Sequence, residues 1–292
     1  MAEKIHYIPQ FVLREFKEPG RSLLELKKGD ATAVPRGVDH AGQKPDFWPP
    51  DIERKLMGDM DDAAAKILQN KVYGETQIHL TPEERRRLAQ WFALWMIRVP
   101  KNLGRYRMLH DDLMQHPVAL VWDYRTQYRA RYQAMVHRLG SEAAAFLYHL
   151  QYWESELRPI HPPAEAEFHR GLTKDDMVKF ADNFERQTWI WVSSGEEDFV
   201  IGDDPVCRVG LQANVYDRGL RTGDLQVTIP LSRKLSVMMH KVDKPDWPIV
   251  QEADPENSKA FNLRQIQNAV EYVWGPTQVS LRPDDENAAY GF

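Results

Sequence analysis

Apolar residues recur at helical spacing through much of the first 185 residues, and the pattern turns to short alternating and β-branched runs after residue 188. Near the start, His6-Tyr7-Ile8-Pro9-Gln10-Phe11-Val12-Leu13-Arg14-Glu15-Phe16 predicts a short helix with Pro9 at its entry. Gln10 and Arg14 then share one face. Leu23–Lys27 reads as a strand, and residues 31–50 read as loop, broken by Pro35, Gly37, Gly42, Pro45, Pro49 and Pro50. A helix capped by Asp51 carries Ile52, Leu56, Met60, Ala63, Ile67 and Leu68. Thr81-Pro82-Glu83-Glu84 is a capping box with proline at the first helical position, followed by the stripe Leu88, Trp91, Phe92, Trp95. That helix should end near Arg98-Val99-Pro100. Further helices are expected over 104–116, 121–139, from Ser141, and from Thr173 to Phe184.

Beyond 188 the runs Thr188–Val192, Asp198–Ile201, Val206–Val209, Val227–Ile229 and Leu235–Met239 predict strands, joined by a Gly202-Asp203-Asp204-Pro205 turn. A last helix is expected from Asp254 through Phe261, Ile266, Val270 and Val273, stopped at Gly275-Pro276. This order predicts an α+β fold, a helical layer packed on a mostly antiparallel sheet formed largely by the C-terminal third. It is read as a single domain over residues 1–281 with a loose tail over 282–292.

Composition narrows the class. The net charge of −5 argues against a protein that coats DNA through bulk charge, yet leaves room for a local basic face. One cysteine, Cys207, forbids an internal disulfide, and the first residues show no apolar signal core. No stretch approaches the roughly 18 apolar residues of a membrane span. A cytoplasmic protein without membrane partners is the expectation.

Several stretches resemble a bacterial family, domain of unknown function 4238. The opening His6-Tyr7-Ile8-Pro9-Gln10-Phe11 with Leu13-Arg14 and Phe16 carries most of the likeness. Asp51-Ile52-Glu53, Arg98-Val99-Pro100, Phe199 to Val206, Ile229-Pro230-Leu231-Ser232 and Phe261-Asn262 follow in the same order. Relatives commonly read Arg-Thr-Pro at the second of these and Ser-Asp-Asn-Pro at the turn, where this chain has Gly202 and Asp204. The resemblance implies a set of polar positions and no assigned reaction.

That set is His6, Gln10, Arg14, Asp51, Glu53, Arg98 and Asp203. Histidine, carboxylates and guanidinium are the parts of a phosphate-handling or metal-assisted hydrolytic site. The catalytic candidates are His6, Gln10, Arg14, Glu53, Arg98 and Asp203. Glu53 and Asp203 would hold Mg²⁺ or Mn²⁺ through oxygen ligands. His6 would act as general base or as a ligand, and the two arginines would clamp phosphate. The expected function is then a metal-dependent phosphoester hydrolase, a nuclease among the possibilities. The alternative is a non-catalytic nucleic-acid-binding or regulatory protein in which Arg98 and Asp203 form a buried pair that fixes the fold.

Phosphate-loop, nucleophile-elbow and His-Glu-x-x-His motifs are absent from the sequence. Glu25-Leu26-Lys27 matches only the tail of a nuclease signature. Residues 98–138 hold eight basic against three acidic side chains, with Tyr106, Tyr124, Tyr128 and Tyr132 interleaved. Arg105, Arg107, Arg125 and Arg129 are the nucleic-acid-binding candidates, by phosphate contact beside stacking rings. The four-residue spacing of the last three tyrosines equally fits a core-facing stripe edged by solvated arginines. The N-terminal segment 6–16 should dock through Ile8, Phe11, Leu13 and Phe16, bringing His6 and Arg14 beside the Asp51 or Asp203 elements.

Overall fold

The computed structural model describes residues 4–45, 47–49, 52–115, 129–152, 174–210, 215–216, 225–241, 247–278 and 280–281. The chain forms two compact units, residues 1–101 with 173–292, and residues 102–172. It is an α+β protein with mostly antiparallel sheets.

In the larger unit, β5 (Thr188–Ser193), β7 (Cys207–Gly210), β8 (Val215–Tyr216), β9 (Leu225–Ser232), β10 (Leu235–His240) and β11 (Trp247–Glu252) build a six-stranded sheet in the order β11-β5-β10-β9-β7-β8. Only the β11–β5 pair is parallel. A second sheet orders β3 (Val34–Arg36), β2 (Leu23–Lys27), β12 (Tyr272–Gly275) and β6 (Ile201–Gly202). A two-stranded ribbon pairs β1 (Lys4–His6) with β4 (Gln43–Pro45). The helices are α1 (Gln10–Glu15), α2 (Asp59–Lys71), α3 (Pro82–Ile97), α7 (Lys174–Glu185) and α8 (Pro255–Asn268), with a π turn over Glu53–Gly58 leading into α2. α4 (Pro100–Gln115) runs from this unit into the smaller one, where α5 (Arg129–Leu139) and α6 (Glu142–Tyr152) form a helical hairpin.

Local chemistry explains the starts of the helices. Thr81 accepts the Glu84 amide while Glu84 reaches back to the Thr81 amide, a closed capping box ahead of Pro82. Asp254 accepts the Asn257 amide at 2.7 Å, and Ser141 accepts that of Ala144 at 3.1 Å. The core of the larger unit is aromatic. Phe92 of α3 touches Phe184 of α7 and Trp189 of β5. Arg85 lies over the Trp189 ring and donates to the carbonyls of Glu185 and Gln187, closing the C-terminus of α7.

Three expectations need correction. The last helix stops at Asn268, because Ala269 leaves helical geometry (φ −58°, ψ 141°). Residues 272–275, rich in aromatic and β-branched side chains, form β12 and pair with β2 near the opposite end of the chain. The loop-like stretch 31–50 carries two short strands, β3 and β4. Residues 198–200 are not strand; only Ile201–Gly202 pair. The cap at Asp51, the helix over 121–128, Thr173 and the tail 282–292 lie outside the described residues.

Candidate functional site

The N-terminal segment docks as its apolar residues require. Ile8, Val12, Leu13 and Phe16 are fully buried, each worth about 1.5–3 kcal/mol. Phe11 stacks at 5.8 Å on Trp91. The amides of Tyr7 and Ile8 both donate to Gly42 O. Gly42 has φ +57°, and a Cβ there would sit 2.8 Å from Ile8 Cβ, so the close approach requires glycine.

On this turn His6, Gln10 and Arg14 form a hydrogen-bonded line whose direction is set by its ends. Ala41 O can only accept, so His6 Nδ1 donates to it at 3.1 Å. His6 Nε2 then accepts from Gln10 Nε2 at 2.9 Å, and Gln10 Oε1 accepts from Arg14 Nη2 at 2.9 Å. Arg14 is exposed. The line orients its guanidinium toward solvent with one of its donors tied to Gln10.

Arg98 lies in an aromatic enclosure. Its Nη1 donates to both oxygens of Asp61, at 3.0 and 2.9 Å, and Asp61 Oδ1 also accepts Trp91 Nε1–H at 2.8 Å. Trp48 Nε1 donates to Arg98 O at 3.3 Å. Trp91 stacks on Trp95 at 4.6 Å, and Tyr7, Phe47 and Trp48 follow one another edge to face. The N-terminal motif therefore reaches Arg98 by two routes, Phe11–Trp91–Asp61 and Tyr7–Phe47–Trp48. The buried pair expected between Arg98 and Asp203 is not formed; Asp61 is the partner, and no motif flagged it.

Asp203 has a different task. Its Oδ1 accepts the Val270 amide at 2.7 Å, and its Oδ2 accepts those of Glu271 and Tyr272 at 2.7 and 3.0 Å. The carboxylate gathers the backbone leaving α8 and starts β12. Burial raises its pKa above the usual carboxylate range, against the pull of the three N–H groups. Neighbouring Asp204 pairs with Lys101 at 2.8 Å, and Lys101 also donates to Asn268 O and Oδ1.

The rest of the turn is held by a polar stripe along α8. Ser258 Oγ donates to Ser194 O, and Asn262 accepts the Val200 amide while donating to Asp198 O. Gln265 accepts the Gly202 amide and donates to Pro205 O, and Asn268 donates to Asp204 O. These side chains serve backbone groups of residues 194–205 that the short pairing of β6 with β12 leaves open. Ser258, Asn262 and Gln265 are buried polar residues at helical spacing, a signal present in the sequence beside the apolar positions that dominated its reading.

The chain belongs to the DUF4238 family. The family model, described as a protein of unknown function, matches residues 4–278. No curated protein and no solved structure matches the chain. The DUF4238 signature residues thus fall into two groups: His6, Gln10, Arg14 and Arg98 around α1 and α3, and Asp203 at the β6–β12 junction. Tyr7 adjoins the first group through Phe47 and Trp48. Burial pushes its phenol pKa far up, and the fields of Asp203, Glu271 and Glu25 push in the same direction.

A divalent metal is poorly served at Asp203, because all three backbone donors point at the oxygens a cation would need. Among the described residues no group of three His, Cys, Asp or Glu side chains is placed to hold a metal ion. Glu53 sits half-buried in the π turn. Glu25 accepts Trp274 Nε1–H at 2.8 Å and lies 3.6 Å from Arg36, so the Glu25-Leu26-Lys27 triplet anchors the second sheet. Cys207 is fully buried, and its thiol pKa is driven upward by burial. A surface groove of about 480 Å³ between α2 and α3, lined by Asp59, Asp62, Lys66 and Glu83, contains none of the signature residues.

In the smaller unit Tyr132 is buried and stacks on His149 at 5.6 Å, which makes it a core residue. Arg107, Arg129, Arg131 and Arg138 are exposed, Arg105 is half-buried, and Arg125 lies outside the described residues. Arg138 lies 5.9 Å from the ring of exposed Tyr148. Among the described residues no helix is long and apolar enough to cross a membrane.

Proposed function

We propose that this DUF4238 chain is a non-catalytic nucleic-acid-binding or regulatory protein whose Asp203 and Arg98 frame the fold. The observation that carries this reading is the engagement of both Asp203 oxygens by three backbone amides. A carboxylate so engaged is a structural clamp, and recruiting it to a metal would unmake the junction of α8 and β12.

The binding face in this reading is α5. Its exposed Arg129, Arg131 and Arg138 share the helix with no acidic residue, and Tyr148 of α6 stands beside Arg138. Cations next to an exposed ring suit a flexible phosphate backbone with unstacked bases. The test is fluorescence anisotropy with labelled single-stranded DNA and RNA across a salt series. Binding that weakens with salt and drops in an Arg129→Glu/Arg131→Glu double variant supports the reading; unaltered binding in that variant removes α5 from it.

A second reading, a metal-dependent phosphoester hydrolase, draws on the His6–Gln10–Arg14 line, which presents an oriented guanidinium at the surface. In that reading Arg14 would grip phosphate and Glu53 would help hold Mg²⁺ or Mn²⁺. Cleavage of oligonucleotides or small phosphodiesters, dependent on added metal and lost in Arg14→Ala, would favour it over the first.

A further inference from the structure

We infer that Arg98 and Trp95 form an internal site for an oxyanion, the carboxylate or phosphate end of a small ligand. The Arg98 side chain is 1% exposed and makes its ion pair with one nitrogen only. Its Nε and Nη2 have no hydrogen-bond partner among the described residues, and neither has Trp95 Nε1. Buried N–H groups are rarely left without an acceptor, and a charged donor is the most costly to leave so.

The identity of the open atoms matters. Nε–H and Nη2–H are the parallel pair of the guanidinium, the edge that meets two oxygens of a carboxylate or phosphate side by side. Asp61 engages the other end of the group, through Nη1. Trp95 lies in the last turn of α3 and Arg98 caps it three residues on, so the two residues stand on one side of the helix end. Every open atom is a donor, which selects a ligand group that only accepts. Asp61, 23% exposed, marks where solvent reaches the ion pair. Because Asp61 already balances the Arg98 charge, recognition rests on directed hydrogen bonds, and a group that brings donors or a cation gains nothing there.

This site is separate from the α5 face, and either can fail alone. The experiment is thermal denaturation with sodium phosphate and, separately, sodium acetate, each against sodium chloride at equal ionic strength. It is run on the full chain, on Trp95→Phe, which keeps the ring and deletes the N–H, and on Arg98→Lys, which keeps the charge and deletes the parallel edge. The expected result is a concentration-dependent rise in Tm over the chloride control, weakened several-fold in Trp95→Phe and absent in Arg98→Lys. A response to phosphate alone assigns a phosphate-bearing ligand, and a response to acetate alone a carboxylate. A wild-type response no different from chloride, or an equal response in Trp95→Phe, overturns the inference, the open donors then being served by water. Should Arg98→Lys fail to fold, Trp95→Phe decides the matter.

Discussion

Arg98 and Asp61, 37 residues apart, are joined by one guanidinium nitrogen that reaches both carboxylate oxygens. The pair ties the end of α3 to the first turn of α2, and Trp91 shares the same carboxylate. Removing Asp61 leaves a buried cation without its counter-charge. Asp61→Ala should therefore destabilise the larger unit by about 3 kcal/mol or more. Denaturant unfolding followed by tryptophan fluorescence measures it. The double variant Asp61→Leu/Arg98→Met should recover much of the loss, since an apolar pair needs no partner.

The stripe along α8 leads to a second expectation. Gln265→Leu conserves size but deprives the Gly202 amide and the Pro205 carbonyl of their buried partners. Two buried groups left unsatisfied cost roughly 2–4 kcal/mol. A midpoint shift of that size in chemical denaturation is expected. Glu256→Gln, at an exposed position on the same helix, serves as the helix control and should change stability far less.

Gly202 lies where α8 passes close over β6. A Cβ there would lie 2.8 Å from Gln265 O and 3.1 Å from Ala269 Cβ. α8 packs too closely on β6 for a side chain at this position. Gly202→Ser should destabilise by about 1–3 kcal/mol through overpacking, and calorimetry would show a lower Tm. A neutral or stabilising outcome would mean that α8 moves away at little cost.

His149 brings a pH dependence to the smaller unit. Burial lowers its pKa, so the folded state binds fewer protons than the unfolded chain as pH falls through about 6.5. Stability contributed by the neutral ring is present above that pH and is lost as pH falls toward the folded value. The Tm drop between pH 7.5 and pH 5.5 should be smaller in His149→Gln than in the wild type. An equal drop in both would place the pH sensitivity elsewhere.

Helix starts were legible because their chemistry is local: Thr81, Ser141 and Asp254 each cap as their sequence contexts require. The docking of residues 6–16 was legible from hydrophobicity alone. Over 270–275 the apolar spacing continues smoothly from α8 into β12, so periodicity alone does not show where the helix ends. What ends the helix there is followed by the Asp203 carboxylate, 67 residues away, gathering the freed amides. Partner identity was equally hidden. Arg98 announced a buried charge, but nothing local distinguishes Asp61 from Asp59 or Asp62, and only the packing of α2 on α3 selects it. The α8 stripe is visible as spacing, yet its purpose depends on a backbone stretch of which only Ile201–Gly202 joins a sheet.

Asp203→Asn tests the central claim most directly, with stability and phosphodiester cleavage measured on the same preparation in Mg²⁺ and in Mn²⁺. Asparagine turns one acceptor into a donor facing backbone N–H groups, and the loss should be about 1–3 kcal/mol, a Tm lower by a few degrees. The structural account expects that fall, and any cleavage, corrected for the folded fraction, to be equal in both proteins. An unchanged Tm together with abolition of a metal-dependent cleavage present in the wild type would contradict it.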